Sequence, residues 1–265
     1  MLDGIDVKSG IVIDAEGVRG RVLSRSGINT DQVEVLNGFN VELAVDDVES
    51  DMVELWFSQE TTKDFFTWVI PIAENRVRCG LATSRDNGAT SLKRFIENRF
   101  NKEPPSTIHG GLVCIGGPVS KTAYPGLLLV GDVAGQVKPT TGGGVVIGGL
   151  CAQLAGEIGA SALGEDTGVL GYEREWRRKY GSELQTMLIM RRLLNGLNDA
   201  QMNRAAHVFI EEGLEEKFTR LVEEGDMDMQ ASVIKQALTD PTILAALARS
   251  LGRLAVSEVF SAFGL

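Results

Sequence analysis

Residues 127–149 read LLLVGDVAGQVKPTTGGGVVIGG. An apolar run from Leu127 to Val130 stops at Gly131-Asp132, a turn carries Pro139, and Gly142, Gly143 and Gly144 lead into a small-residue apolar segment. This order predicts a strand, a turn and a helix that starts near Gly142 to Gly144. A helix N-terminus presents unpaired N–H groups and about half a positive charge, and glycines there let a ligand come close to the backbone. Asp132 has no cation beside it in the sequence, so its carboxylate is available to ligand hydroxyls. A polyol joined to a carbonyl-rich ring would use both features. A capping aspartate followed by a glycine-rich turn accounts for the same letters.

Working outward, IVIDAEG (residues 11–17) reads as a short strand ending in an acidic turn, and VRGRVLSRSG after it has helical spacing and a glycine stop. From Gln32 to about Cys79 the texture is alternating: VEVLNGFNVELAV, with a turn expected at Asn37-Gly38, then MVELWFS, FFTWVIP and RVRCGLA. Such segments predict an antiparallel sheet. Leu92, Phe95, Ile96 and Phe100 share one face of a helix over residues 90–100, with Thr90 or Ser91 as its N-cap. IHGGLVCIGG returns to strand, and beyond Gly164 the chain reads as almost all helix. Val145 to Leu163 contains Gln153 and Glu157 and is rich in Gly and Ala, so a buried helix is expected there before a membrane span. The fold class is therefore α/β (α+β): a strand-helix unit, an antiparallel insertion, a second strand-helix unit and a helical tail.

Composition narrows the function. With 43% hydrophobic residues the chain can bury a sizeable core, and its formal net charge of −10 disfavours nucleic acid as a partner. Cys79, Cys114 and Cys151 lie far apart with no CxxC spacing, so they read as reduced intracellular thiols and suggest neither a disulfide framework nor a zinc site. Two histidines, His109 and His207, are too few for a metal cluster and give thin support to a Ser-His-Asp triad. Met1 to Lys8 are mixed and charged, without the basic-then-apolar order of an export signal, so a cytoplasmic location is expected. The arginines of REWRRK (174–179) and Arg191-Arg192 could reach a lipid phosphate at a membrane surface, although such runs are usually solvated helix faces.

GLLLVGDVAGQVKPTTGGG, residues 126–144, resembles the second flavin-binding motif of hydroxylase-type FAD proteins, in particular the geranylgeranyl reductase family. The resemblance implies FAD as cofactor, with Asp132, after Gly131, on the flavin ribityl chain. It also implies that Pro139, Gly142, Gly143 and Gly144 cap a helix whose N-terminus faces the isoalloxazine. IVIDAEGVRGRVLSR resembles the family's ADG-x-x-S element: Asp14 and Gly17 match, Glu16 replaces the usual aspartate and Gly20 the usual serine. FFTWVIP, followed after eight residues by GLA, resembles the Tyr-x-Trp-x-Phe-Pro…Gly-x-Gly substrate-cavity signature. Phe66, Trp68, Pro71 and Gly80 align with it. Phe66 stands where the signature has tyrosine and cannot donate a proton, Ile70 replaces phenylalanine and Ala82 the last glycine. Cys79, next to Gly80, is a further candidate for lining substrate. Taken without the resemblance, Trp68 and its neighbours read as core aromatics of a strand.

The resemblance thus implies an FAD-dependent oxidoreductase that reduces C=C bonds of geranylgeranyl or prenyl chains in isoprenoid lipid synthesis. A prenyl-chain lipid or diphosphate would be the substrate, an external electron donor and a peripheral membrane contact would be its partners, and no catalytic residue is assigned. An FAD-dependent monooxygenase is the alternative, because the second flavin motif is shared. A strand-GxGxxG-helix element is not found, so the resemblance covers the C-terminal portion of the family, and a truncated reductase, or a fragment or half of a split flavoprotein completed by a separate segment or subunit, is expected. The expected domains are residues 1–30 and 122–163 in a partial, Rossmann-like FAD-binding domain, 31–121 in an inserted substrate domain and 164–265 in a helical region.

Overall fold

The computed structural model describes residues 7–28, 33–46, 48–162, 168–252, 257, 259 and 261–263. The strands are β1 (Val12–Asp14), β2 (Val35–Ala44), β3 (Glu54–Trp56), β4 (Thr67–Ala73), β5 (Arg76–Thr83), β6 (His109–Cys114), β7 (Ala123–Tyr124) and β8 (Leu127–Leu129). The helices are α1 (Arg21–Ser26), α2 (Gly88–Phe100), α3 (Val145–Ser161), α4 (Gly171–Trp176), α5 (Ser182–Asn195), α6 (Asp199–Glu211), α7 (Glu215–Glu223), α8 (Ala231–Thr239) and α9 (Pro241–Leu251). A π-helical turn, Arg177–Gly181, joins α4 to α5. The chain divides into two compact units, residues 1–34, 114–190 and 220–236, and residues 35–113, 191–219 and 237–265. The C-terminal helices are thus shared between the units.

In the first unit β1 runs parallel to β8, and β8 pairs antiparallel with β7. The register sets Val12 opposite Leu127 and Asp14 opposite Leu129, and the Val130 N–H extends the ladder by donating to the Asp14 carbonyl at 2.9 Å. Leu127, Leu129, Val133, Ala134, Val119 and Leu23 form the core beside these strands. Helix α3 follows the glycine loop and buries Ile147, Cys151, Leu154 and Ala155. Among the described residues no helix is long and apolar enough to cross a membrane.

The second unit is built on a five-stranded sheet of order β3-β4-β5-β2-β6. Alternate residues Val41, Leu43, Val69, Val77, Cys79 and Leu81 point to one face, where Leu92, Phe95 and Ile96 of α2 close the core. Two local expectations are corrected. Asn37-Gly38 makes no turn: it pairs with Thr83 and Ala82 inside the long β2–β5 ladder, and that ladder outweighs the preference of two residues. Gly38 instead admits the neighbouring strand, since a Cβ there would lie 3.0 Å from Val113. Helix α2 is preceded by Asn87, ahead of Thr90 and Ser91, because Gly88 lets its first turn rest on Phe39.

Candidate functional site

Two acidic residues lie at the carboxyl ends of the first unit's adjacent parallel strands. Asp14 ends β1, and β8, its parallel neighbour, runs through Val130 into Gly131 and Asp132. The carboxyl ends of adjacent parallel strands are where open α/β sheets receive ligands. Gly131 takes φ 74°, which turns the chain sharply at the strand end. A buried side chain then locks that turn. Gln136 Oε1 accepts the Gly131 N–H at 3.0 Å, Gln136 Nε2 donates to the Tyr172 hydroxyl at 2.9 Å, and the Tyr172 hydroxyl donates to the Leu129 carbonyl at 3.1 Å. Gln136 and Tyr172 have no exposed surface. Neither was singled out from sequence; the one available signal was a polar Gln136 inside a glycine-rich motif.

The loop from Lys138 to Gly144 folds back on itself. The Gly142 N–H donates to the Lys138 carbonyl at 2.8 Å, and the Lys138 N–H donates to the Gly143 carbonyl at 3.0 Å, with Pro139 in the bend and Gly142 at φ 71°. Gly144 is the N-cap of α3, as the glycine run predicts, and contributes no side-chain cap. A Cβ on Gly144 would stand 2.9 Å from Asp132 Oδ1, so the carboxylate and the helix start are neighbours. Val145 is 90% exposed, leaving an apolar first helical turn open beside them.

These residues fit an anionic or polarised ring carrying a polyol. Asp14 is 3% exposed, yet its Oδ2 has no hydrogen-bond partner, while Oδ1 accepts the Glu16 N–H at 3.1 Å. Burial pushes the Asp14 carboxyl above the usual aspartate range, and burial alone does the same to Asp132. Both are poised to gain from a hydroxyl or N–H donor. Gly17 sits at φ 81°, a left-handed conformation open to solvent on its Cβ side. The departures at Glu16 and Gly20 compensate one another. Gly20 is the N-cap of α1 in a left-handed conformation with no side chain to give, and the Glu16 carboxylate accepts the Val22 N–H in its place.

In the second unit, Trp68 of β4 and Gly80 of β5 are register partners, and Gly80 also faces Asn40 of β2. The Trp68 indole N–H donates to Asn40 Oδ1 at 3.0 Å, lying across the sheet where Gly80 has no side chain. A Cβ at Gly80 would come within 2.2 Å of Asn40 Oδ1, 2.5 Å of the Phe39 carbonyl and 2.6 Å of the indole. Asn40 is thus a residue that sequence reasoning missed. Phe66 stacks on Phe65 with ring centroids 4.2 Å apart, and both meet Trp68 edge-on. The strand alternation sets Cys79 and Pro71 on the opposite face from Trp68 and Gly80. Cys79 is fully buried in the core under α2, and burial pushes its thiol up to about 12. Pro71 instead lines a cavity of about 190 Å³ with Val45, Val48 and Val77.

Arg191 is buried, not presented to solvent: its guanidinium lies 4.2 Å over the Phe65 ring and donates to the Asp64 carbonyl at 3.2 Å. Arg177 pairs with Glu173, and Arg174 and Arg178 pair with Glu175. Among the described residues there is no cluster of three His, Cys, Asp or Glu side chains that could hold a metal.

No family profile matches the chain. It is 36% identical over 214 residues to digeranylgeranylglycerophospholipid reductase 2 of Methanothermobacter thermautotrophicus, a match that covers 76% of this chain and 55% of that protein. Over that length the chain is similar to reductases of the geranylgeranyl reductase family. It spans just over half the length of that curated relative. A geranylgeranyl bacteriochlorophyll reductase-like protein from Thermoplasma acidophilum has a similar fold, with TM-score 0.69 and 21% identity over 97% of this chain and 63% of that one. A flavin-dependent halogenase from Brevundimonas also superposes, with TM-score 0.58 and 16% identity over 98% of this chain and 57% of that one. The chain therefore shares its fold with both of these proteins.

Proposed function

We propose that the chain is the part of an FAD-dependent reductase that holds the flavin ring and ribityl chain, acting on C=C bonds of geranylgeranyl or other prenyl chains in lipid synthesis. The observation that carries this reading is that Asp132 lies against the start of α3, which has no side-chain cap, while Asp14 ends the strand parallel to the one that leads into Asp132. Asp132 would accept hydrogen bonds from ribityl hydroxyls, Asp14 Oδ2 would find the donor that it lacks, and Gly142 to Gly144 would admit the ring to the backbone. The N-terminus of α3 favours negative charge near it. When bound and reduced, FAD would supply the hydride for alkene reduction.

Residues 31–121 would supply the substrate side, with Phe66, Trp68 and Gly80 forming an apolar, water-excluding wall for a prenyl lipid or diphosphate. The roles of residues 1–30 and 122–163 on the flavin belong to the same proposal, as do an external electron donor and a peripheral membrane contact. The test is titration of the chain with FAD, followed by anaerobic incubation of the reduced complex with a geranylgeranyl lipid and mass analysis. Flavin binding with hydrogen added across double bonds is expected. A hydroxylated product would favour the monooxygenase reading, and absence of any flavin binding would sink the cofactor assignment.

A further inference from the structure

The glycine loop is gripped from outside by a segment far along the chain. Lys138 Nζ donates to Asp228 Oδ1 at 2.7 Å and to the Met227 carbonyl at 3.2 Å, across separations of 90 and 89 residues. The Thr140 hydroxyl donates to Gln230 Oε1 at 2.6 Å, and Gln230 Nε2 donates to the Met227 carbonyl at 3.2 Å. The gripping segment is itself pinned. Asp226 Oδ1 accepts the N–H groups of Asp228 and Met229, and Glu183 Oε1 accepts the Ala231 N–H at 2.6 Å where α8 begins. Lys138 meanwhile closes the loop through its own carbonyl and N–H, bonded to Gly142 and Gly143. One residue thus joins the bend that aims the glycines to a braced strap.

We propose that Lys138 and Asp228 are positioning residues, and that residues 226–231 form a strap fixing the loop before α3 in its ligand-facing conformation. The inference deepens the flavin reading, on which it depends only for the identity of the ligand. A loop with three glycines loses much conformational entropy when ordered, and ordering it before the ligand arrives removes that cost from binding. The Lys138 side chain is 14% exposed and that of Asp228 45%, so loss of Asp228 leaves a poorly solvated ammonium, whereas loss of Lys138 leaves a carboxylate within reach of water.

Hydrogen exchange of the full chain, without ligand, tests the strap in Lys138→Met, Asp228→Asn, Lys138→Arg and Asp228→Glu. Amides of residues 140–147 should exchange about tenfold faster in the first two variants and within about twofold of the parent in the charge-retaining pair. FAD affinity, read by fluorescence titration, should fall about tenfold in Lys138→Met and Asp228→Asn and recover in the charge-retaining pair. Unchanged loop exchange in both disruptive variants would overturn the strap. Faster exchange with wild-type FAD affinity would reduce it to a purely structural brace and overturn the positioning role. A parent chain that binds no FAD while its loop exchange responds as expected supports the strap and counts against the flavin reading alone.

Discussion

Gly131 and Gly142 of the first unit adopt left-handed φ values, and around Gly131 the space where a Cβ would stand is empty. Gly80 and Gly88 of the second unit have no such φ, and their Cβ positions are filled by Asn40, Phe39 and Trp68 or by the Phe39 ring. The same residue type serves opposite ends. In the second unit these glycines are where protein packs on protein; at Gly131 glycine is where the backbone stays bare. Carboxylates follow the same division. Glu54 in the second unit is held below its ordinary range, first by its bond with Arg99, whereas Asp14 and Asp132 are pushed up by burial. Among the described residues each unit leaves one buried side-chain oxygen without a partner, Asp14 Oδ2 in the first and Thr67 Oγ1 in the second, and only in the first is it a carboxylate.

Substitution at Gly80 should break the comparison most visibly if it is wrong. Gly80→Ala forces a methyl against the Phe39 carbonyl and should cost about 3 kcal/mol in a urea melt, an overpacking effect. A Gly80→Ala chain as stable as its parent would remove the packing role. Asp132→Asn should do the reverse. It is expected to weaken FAD binding by about 1.5–3 kcal/mol, the usual worth of a hydrogen bond to a charged group, while leaving the fold intact.

Its pH dependence sharpens the point. Because the folded-state pKa of Asp132 is raised, its ionised form opposes folding above that pKa, and the penalty fades as pH falls toward the ordinary carboxylate range. The parent should therefore trail Asp132→Asn in stability at pH 7 and draw level on acidification. A gap that does not change with pH would contradict the burial of this charge.

Smaller effects belong to the second unit's aromatics and to the first unit's surface. Trp68→Phe removes the indole donor to Asn40 and should lower stability by about 1 kcal/mol with no change in FAD affinity; a fall in affinity would blur the division between the units. Arg178→Ala breaks an exposed pair with Glu175 and should shift stability by less than about 0.5 kcal/mol by thermal melting.

The alternation of apolar residues made the sheet legible, and the Gly-Asp turn with its glycine run made the candidate site legible, because both are local patterns. What stayed hidden is relational. Asn37-Gly38 reads as a turn until β5 is present to pair with it. Cys79 sits one residue from Gly80, yet strand alternation sends it to the other face, and only the packed helix α2 says which face is core. Gln136, Tyr172 and the Lys138–Asp228 pair act across 36 to 90 residues, a distance over which a single sequence carries no signal.

The parallel register of β1 and β8 also bears on the order of assembly. Val12 must find Leu127, whereas Pro71 has only to find Val77 and Ala44 to find Arg76. Closing the longer loop costs more chain entropy, so the hairpins are expected to form early and the β1–β8 pairing late. A ligand for those strand ends meets the surface the chain completes last. A ligand that binds only the completed surface stabilises the assembled unit by mass action.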